Sequence, residues 1–162
     1  GSLDWQPNLE GIHWFLSNVF SKTKGIKLHI AGRHTPNSIQ QLVSENTTIE
    51  GEVESAHSFM LRHPVMIVPL FSGSGIRVKI IEGMALGRVI ITTTLGLEGI
   101  PAKDGKEILI ANTPEAFLHH LKYCKENYKG VKEISNNAKI FAREHFDVTQ
   151  IGQKLTKFLS DE

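Results

Sequence analysis

The sequence predicts a doubly wound α/β fold, a mainly parallel sheet with helices on both faces and two helices at the end. Three features predict it. Short apolar runs alternate with longer amphipathic stretches, the runs are rich in β-branched residues, and glycine or proline closes several of them. Strands separated by helices of this length favour parallel pairing through right-handed crossovers. The expected strands are Lys27 to Gly32, Thr47 to Gly51, Val65 to Leu70, Arg88 to Thr92 and Glu107 to Ala111. The expected helices are Asn8 to Phe20, Ser38 to Ser44, Val53 to Arg62, Gly75 to Leu86 and Pro114 to Asn127, followed by Val131 to His145 and Val148 to Leu159. In such sheets ligands bind beyond the carboxyl ends of the strands, so residues just after Gly32, Gly51, Leu70 and Thr92 are the ones to watch.

Size and composition narrow the function. A chain of 162 residues is the length of one domain, and one domain over residues 1–162 is expected. Apolar residues make up 40% and charged residues 22%, a globular composition. Eighteen Lys and Arg against seventeen Asp and Glu leave a net charge of +1, too little for a nucleic-acid partner bound through a broad basic field. Any anion must be met locally. Cys124 is the single cysteine, which rules out an internal disulfide and points to a reducing compartment. No run reaches the roughly 20 apolar residues of a membrane span, and the start carries no signal segment; Gly1-Ser2 reads equally as native or as a cloning remnant.

The informative stretch is Pro69-Leu-Phe-Ser-Gly73-Ser74-Gly75-Ile76-Arg77-Val78-Lys79-Ile-Ile-Glu82-Gly83-Met-Ala-Leu-Gly87. It runs from a strand through a glycine-rich turn into a helix. Glycines 73 and 75 let the backbone turn tightly, and the first amides of the helix point outward at its positive end, where a phosphate belongs. Arg77 and Lys79 sit badly beside a helix N-terminus unless an anion joins them. At about 100° per residue, Gly75, Lys79, Glu82 and Leu86 fall near one line, while Ile76, Ile80, Gly83 and Gly87 form another face, expected to pack on the sheet. Glu82 then stands where its carboxylate can accept hydrogen bonds from two ribose hydroxyls. Singly, each feature has an ordinary explanation: glycine turns are common, the third glycine of the dinucleotide fingerprint is missing, and Lys79 and Glu82 at i,i+3 make a surface ion pair. The order of the whole string tips the balance.

That string resembles the donor-binding motif of glycosyltransferase family 4, the group 1 type. In that family a Pro-ended strand leads into a glycine-rich turn, a helix reading Glu-Ala-Met-Ala-x-Gly, a strand and a Thr-x-x-Gly turn. The matching residues are Pro69, Gly73 to Gly75, Glu82 to Gly87, Val89 to Thr92 and Thr94-Leu95-Gly96-Leu97-Glu98-Gly99. Asp4 to Asn8 and Ile30 to Arg33 also look like this group. The resemblance implies the Rossmann-like C-terminal domain of a two-domain GT-B enzyme of glycan biosynthesis, with nucleotide-sugar binding here and the acceptor site and much of the catalytic machinery on an N-terminal domain outside this chain. It implies retention, no cofactor and no metal, a cytoplasmic location, and leaves peripheral membrane association of the full-length protein open. By the same resemblance Gly73, Ser74 and the amides of Gly75, Ile76, Arg77 and Val78 surround the diphosphate, Arg77 and Lys79 add charge, Glu82 binds the ribose, Thr94, Leu95 and Gly96 lie near the cleft, and Arg33 lies near the nucleotide.

Two departures bear on substrate. Ser74 stands where the family has the first of two glutamates, which puts sugar recognition in question, and the loop Asp4 to Asn8 lacks the family's Arg and Lys, so Arg77 and Lys79 take over their task. The alternatives are a non-catalytic nucleotide-binding or regulatory module and a sugar-nucleotide epimerase or hydrolase. No pair among the eight histidines has ligand spacing, and His119-His120 diverge on their helix, so no metal site is expected. His34 reads as a turn residue, Trp14 as core, Trp5 as open to a stacking role, and Cys124 as a structural thiol.

Overall fold

The computed structural model describes residues 1–147, and its centre is a strand buried from end to end. All four residues of β4 (Val89–Thr92) are buried. It pairs in parallel with β3 (Val65–Val68) on one side and β5 (Leu109–Ile110) on the other. Side-chain alternation sends Val89 and Ile91 into one apolar cluster with Phe15 and Phe117, and Ile90 into a second with Ile80 and Met84. Layers of helix therefore cover both faces, as a doubly wound fold requires.

The covering helices follow from the amphipathic stretches. α1 (Gln6–Asn18) and α5 (Pro114–Glu126) carry Phe15, Leu16, Phe117 and Leu121 onto the first face. α4 (Val78–Ala85) and α6 (Tyr128–Phe146) cover the second. Gly11 is where α1 crosses the end of β3: a Cβ there would fall 1.8 Å from the Pro69 carbonyl oxygen. α5 begins at a side-chain cap, with Thr113 accepting from the Ala116 amide at 3.3 Å. Removing that cap in Thr113→Ala is expected to cost about 1 kcal/mol, read from the urea midpoint; an unchanged midpoint would assign α5 to packing alone.

Several boundaries differ from expectation. α4 starts at Val78 rather than Gly75, because Gly75 has φ +87 and cannot be helical. α2 (Asn37–Gln40) and α3 (Ala56–Leu61) are shorter than expected, and α6 follows α5 after Asn127 alone. A short 3₁₀ turn, Phe20–Lys22, replaces the end of the first expected helix. Ile76 lies in the loop and is 53% exposed, not on the packing face. Gly83 does pack on the sheet, where a Cβ would meet Ile90 at 2.7 Å and Met66 at 3.0 Å, but Gly87 faces Ser135 and Lys139 of α6. The expected helix Val148 to Leu159 lies outside the described residues.

The larger difference concerns the sheet. β1 (Leu28–Ala31) and β2 (Thr47–Gly51) pair in parallel as a sheet of their own, separate from β3, β4 and β5. A cleft of about 730 Å³ lies between the two sheets, lined by Leu28, Ile30, Met66 and Ile67 among others. Pro64 and Pro69 bracket β3 and contribute no N–H to any partner strand.

Candidate nucleotide site and comparison with known proteins

The site grows from the carboxyl end of β3. Two threonines from the end of β4 fasten it: Thr92 Oγ1 donates to the Val68 carbonyl at 2.7 Å, and Thr93 Oγ1 donates to that of Leu70. Thr93 Oγ1 also accepts from the Gly96 amide at 3.0 Å, fixing the start of the next turn. Beyond Leu70 the chain turns through Gly73 (φ +91) and Gly75 (φ +87), conformations strongly disfavoured for residues with a Cβ. At Gly75 a Cβ would meet none of the described residues within 4 Å, so among them it is the backbone angle rather than space that requires glycine there.

Arg77 sits inside this loop rather than projecting from it. It is 6% exposed, and its Nη1 donates to the carbonyls of Ser74 and, at 2.6 Å, Gly75. Its guanidinium lies 5.8 Å from the ring centre of Trp5, a cation–π contact with the indole whose role the sequence left undecided. Nε and Nη2 are buried and without a hydrogen-bond partner among the described residues. Arg77 thus holds the loop's shape and still has donors to spend.

Lys79, in the first turn of α4, is the second cation. Its Nζ donates to Asn8 Oδ1 at 2.6 Å, and no carboxylate among the described residues lies within ion-pair distance. Burial, and secondarily the charge of Arg77, hold its pKa down at about 8. Glu82, half-buried one turn further on, lines the same cleft as Asn8, Gly32, Arg33 and Lys79. The entry to α4 thus gathers two cations with no carboxylate partner among the described residues, and the Glu82 carboxylate stands one helical turn behind Lys79.

The remaining candidates are placed less directly. The Gly75 amide donates to Glu98 Oε2 at 3.1 Å, so a carboxylate oxygen already stands where an anionic oxygen was expected. The Ile80 amide turns back to the Arg77 carbonyl at 2.8 Å, which leaves Val78 and Lys79 as the first helical amides ahead of it. Ser74, Ile76 and Val78 are exposed. Thr94 is tied down by Asn112, which accepts from its amide at 2.9 Å and donates to its hydroxyl at 2.8 Å; Leu95 and Gly96 continue that turn. Arg33 is exposed and reaches Glu52 at 3.9 Å. Residues 73–78 and 94–96 do not line the cleft that holds Arg33, Lys79 and Glu82, so the expected set divides into two neighbouring groups.

Sequence reasoning missed Glu98, Asn112 and the pairing of Asn8 with Lys79. Glu98 and Asn8 were visible in the motif residues, but only the folded chain shows which groups they meet. Other residues behave as read: Trp14 packs between Phe71 and Phe117 at 4.4 and 5.6 Å, burial raises the Cys124 thiol to about 11, and His34 occupies a turn with φ +59.

Comparison with known proteins defines the class. Residues 1–127 match the family described as glycosyl transferases group 1. The chain belongs to that family. A curated relative, an uncharacterized 44.6 kDa protein in the cps region of Klebsiella pneumoniae, is 26% identical over 170 residues, covering 97% of this chain and 44% of its own length. Among solved structures, HepE of Anabaena in complex with UDP superposes over 100% of this chain and 47% of its own, with a TM-score of 0.80 at 14% identity. The C-terminal domain of the group 1 glycosyl transferase LpcC from Francisella tularensis superposes over 85% of this chain and 77% of its own, with a TM-score of 0.68 at 14% identity. These likenesses show a Rossmann-like fold of parallel sheets flanked by helices. The chain spans under half the length of the Klebsiella relative and of HepE. No helix among the described residues is long and apolar enough to cross a membrane.

Proposed function

We propose that this chain is the donor-binding C-terminal half of a two-domain GT-B glycosyltransferase, which moves a sugar from a nucleotide diphosphate sugar to an acceptor with retention. The observation that carries the reading is the pair of uncompensated cations, Arg77 and Lys79, at the entry to α4 with Glu82 one turn behind them. Family membership, the fold shared with a UDP-bound protein and coverage of under half the length of the Klebsiella relative and of HepE support it.

In this reading the diphosphate lies against Lys79, the unsatisfied edge of Arg77 and the amides of Val78 and Lys79. Burial strengthens these contacts, because a partly dry site screens charge less than water does. Glu98 gives up the Gly75 amide to a phosphate oxygen. Glu82 accepts the ribose hydroxyls, and Arg33 approaches the nucleoside end. As the anomeric bond breaks, negative charge gathers on the departing diphosphate, and donors already aimed at it lower the barrier without reorganising. The acceptor and the remaining catalytic groups belong to the N-terminal half. Binding without turnover is the expected behaviour of the chain alone.

Glu82→Ala tests the ribose assignment. Hydrogen bonds to a charged group contribute about 1.5–3 kcal/mol each, so UDP affinity should fall at least about tenfold. Inorganic pyrophosphate, which has no ribose, should bind the variant and the parent equally. Equal losses for both ligands would mean that Glu82 acts on the shape of the diphosphate site, and no loss for UDP would remove it from the site.

A further inference from the structure

Glu50 of β2 is met by three side chains from outside its strand. His29 of β1 places Nδ1 3.0 Å from Glu50 Oε1, and Arg62, after α3, donates to Oε2 at 2.5 Å. His63, beside Pro64 at the entry to β3, holds Nε2 4.0 Å from the same Oε1. The two imidazoles are 4.4 Å apart and inclined by 30°, so both aim a nitrogen at one carboxylate. One nitrogen from each ring and one carboxylate oxygen lie within 4.8 Å of one another.

A simple hydrogen-bonded clasp accounts for only part of this. It satisfies His29 and Arg62 but leaves His63 Nε2 buried without a hydrogen-bond partner among the described residues. A buried ring nitrogen with nothing to bond carries a desolvation cost that a ligand would remove.

We propose that His29, Glu50 and His63 form a binding site for a divalent transition ion of the zinc class. Two imidazoles and a carboxylate are a ligand set such ions accept, with a fourth position left for water. At metal–ligand distances of about 2.0–2.2 Å in a tetrahedral site, the ligand atoms stand roughly 3.3–3.6 Å apart, so small side-chain rotations suffice to close this one. All three side chains are 20–28% exposed, within reach of an ion from solvent. Arg62 holds Oε2 and leaves Oε1, the oxygen between the imidazoles, to the metal, and its positive charge weakens the site.

The position gives the site a structural consequence. β1 and β3 share no strand pairing, and His29 and His63 line the cleft between their two sheets. An ion there would tie the β1–β2 pair to the segment entering β3. The histidines lie 34 positions apart and the glutamate on a third element, so no spacing motif announces them.

The test is calorimetric titration of the chelator-treated chain with Zn²⁺, with Co²⁺ as the optical probe of tetrahedral coordination. The expected result is one ion per chain, a tetrahedral Co²⁺ spectrum and a rise in Tm that a chelator reverses. His63→Ala and, independently, Glu50→Gln should each weaken binding at least about tenfold, while His119→Ala leaves it unchanged. Circular dichroism confirms that each variant is folded, and His29→Ala replaces either one that is not. Absence of saturable binding at submillimolar metal, or binding that survives loss of His63 and Glu50, would overturn the proposal. UDP affinity is expected to be the same with and without the ion, which keeps this test separate from that of the nucleotide site.

Discussion

Lys79→Met is expected to make the ligand-free chain more stable while lowering its affinity for a nucleoside diphosphate roughly a hundredfold, the worth of about 2.7 kcal/mol of lost charge-assisted contact. A lysine whose pKa falls from 10.5 to about 8 on folding carries, at neutral pH, a cost of order 3 kcal/mol. Methionine fills much of the same volume without that cost, although it loses the bond to Asn8, so a net gain of about 1 kcal/mol is expected. The sign of the pH dependence follows from the direction of the shift. Below pH 8 the ammonium is charged in both folded and unfolded chains, and the full penalty is present. Between pH 8 and 10.5 the folded chain sheds the proton first, so the parent gains stability as pH rises and the advantage of the variant shrinks. Diphosphate affinity runs the opposite way. It should decline in the parent as pH passes 8, by up to about tenfold per pH unit, and stay flat in the variant. A destabilised variant that still binds would show Lys79 to be a structural residue.

Arg77→Ala should have a comparable effect on affinity with the opposite effect on stability. The guanidinium bridges the carbonyls of Ser74 and Gly75 and lies against Trp5, so its loss frees the loop as well as removing a charge. Affinity for UDP is expected to fall at least about thirtyfold and stability by about 1.5–3 kcal/mol, the range for hydrogen bonds to a charged group. Arg77→Lys should rescue neither, since an ammonium lacks the planar fork that holds two carbonyls and keeps further donors beside them. Full rescue by lysine would reduce Arg77 to a general positive charge.

These two residues also show how far the sequence reaches. Helical spacing correctly set Lys79 and Glu82 along one cleft, because a period of 3.6 is local information. The β-branched runs located β3 and β4 to within two residues for a similar reason. The start of α4 was misplaced, since Gly75-Ile76-Arg77 continues the helical spacing and nothing local reveals the left-handed φ of Gly75. Arg77 was expected to project toward a ligand, and its burial depends on Trp5, remote in sequence. The separation of the sheet between β1 and β3, the occupation of the Gly75 amide by Glu98 and the meeting of His29, Glu50 and His63 are likewise products of long-range packing. Family membership lay within reach because its motif is an ordered string of neighbours.

The central claim is that the entry to α4 accepts a nucleoside diphosphate, and calorimetric titration of the chain with a panel of nucleoside diphosphates at pH 7 tests it most directly. Saturable binding of at least one of them, one molecule per chain and lost in Lys79→Met, is the predicted result. A flat isotherm for every member of the panel with the folded parent chain would contradict it and leave a group 1 domain that has kept its fold without its donor.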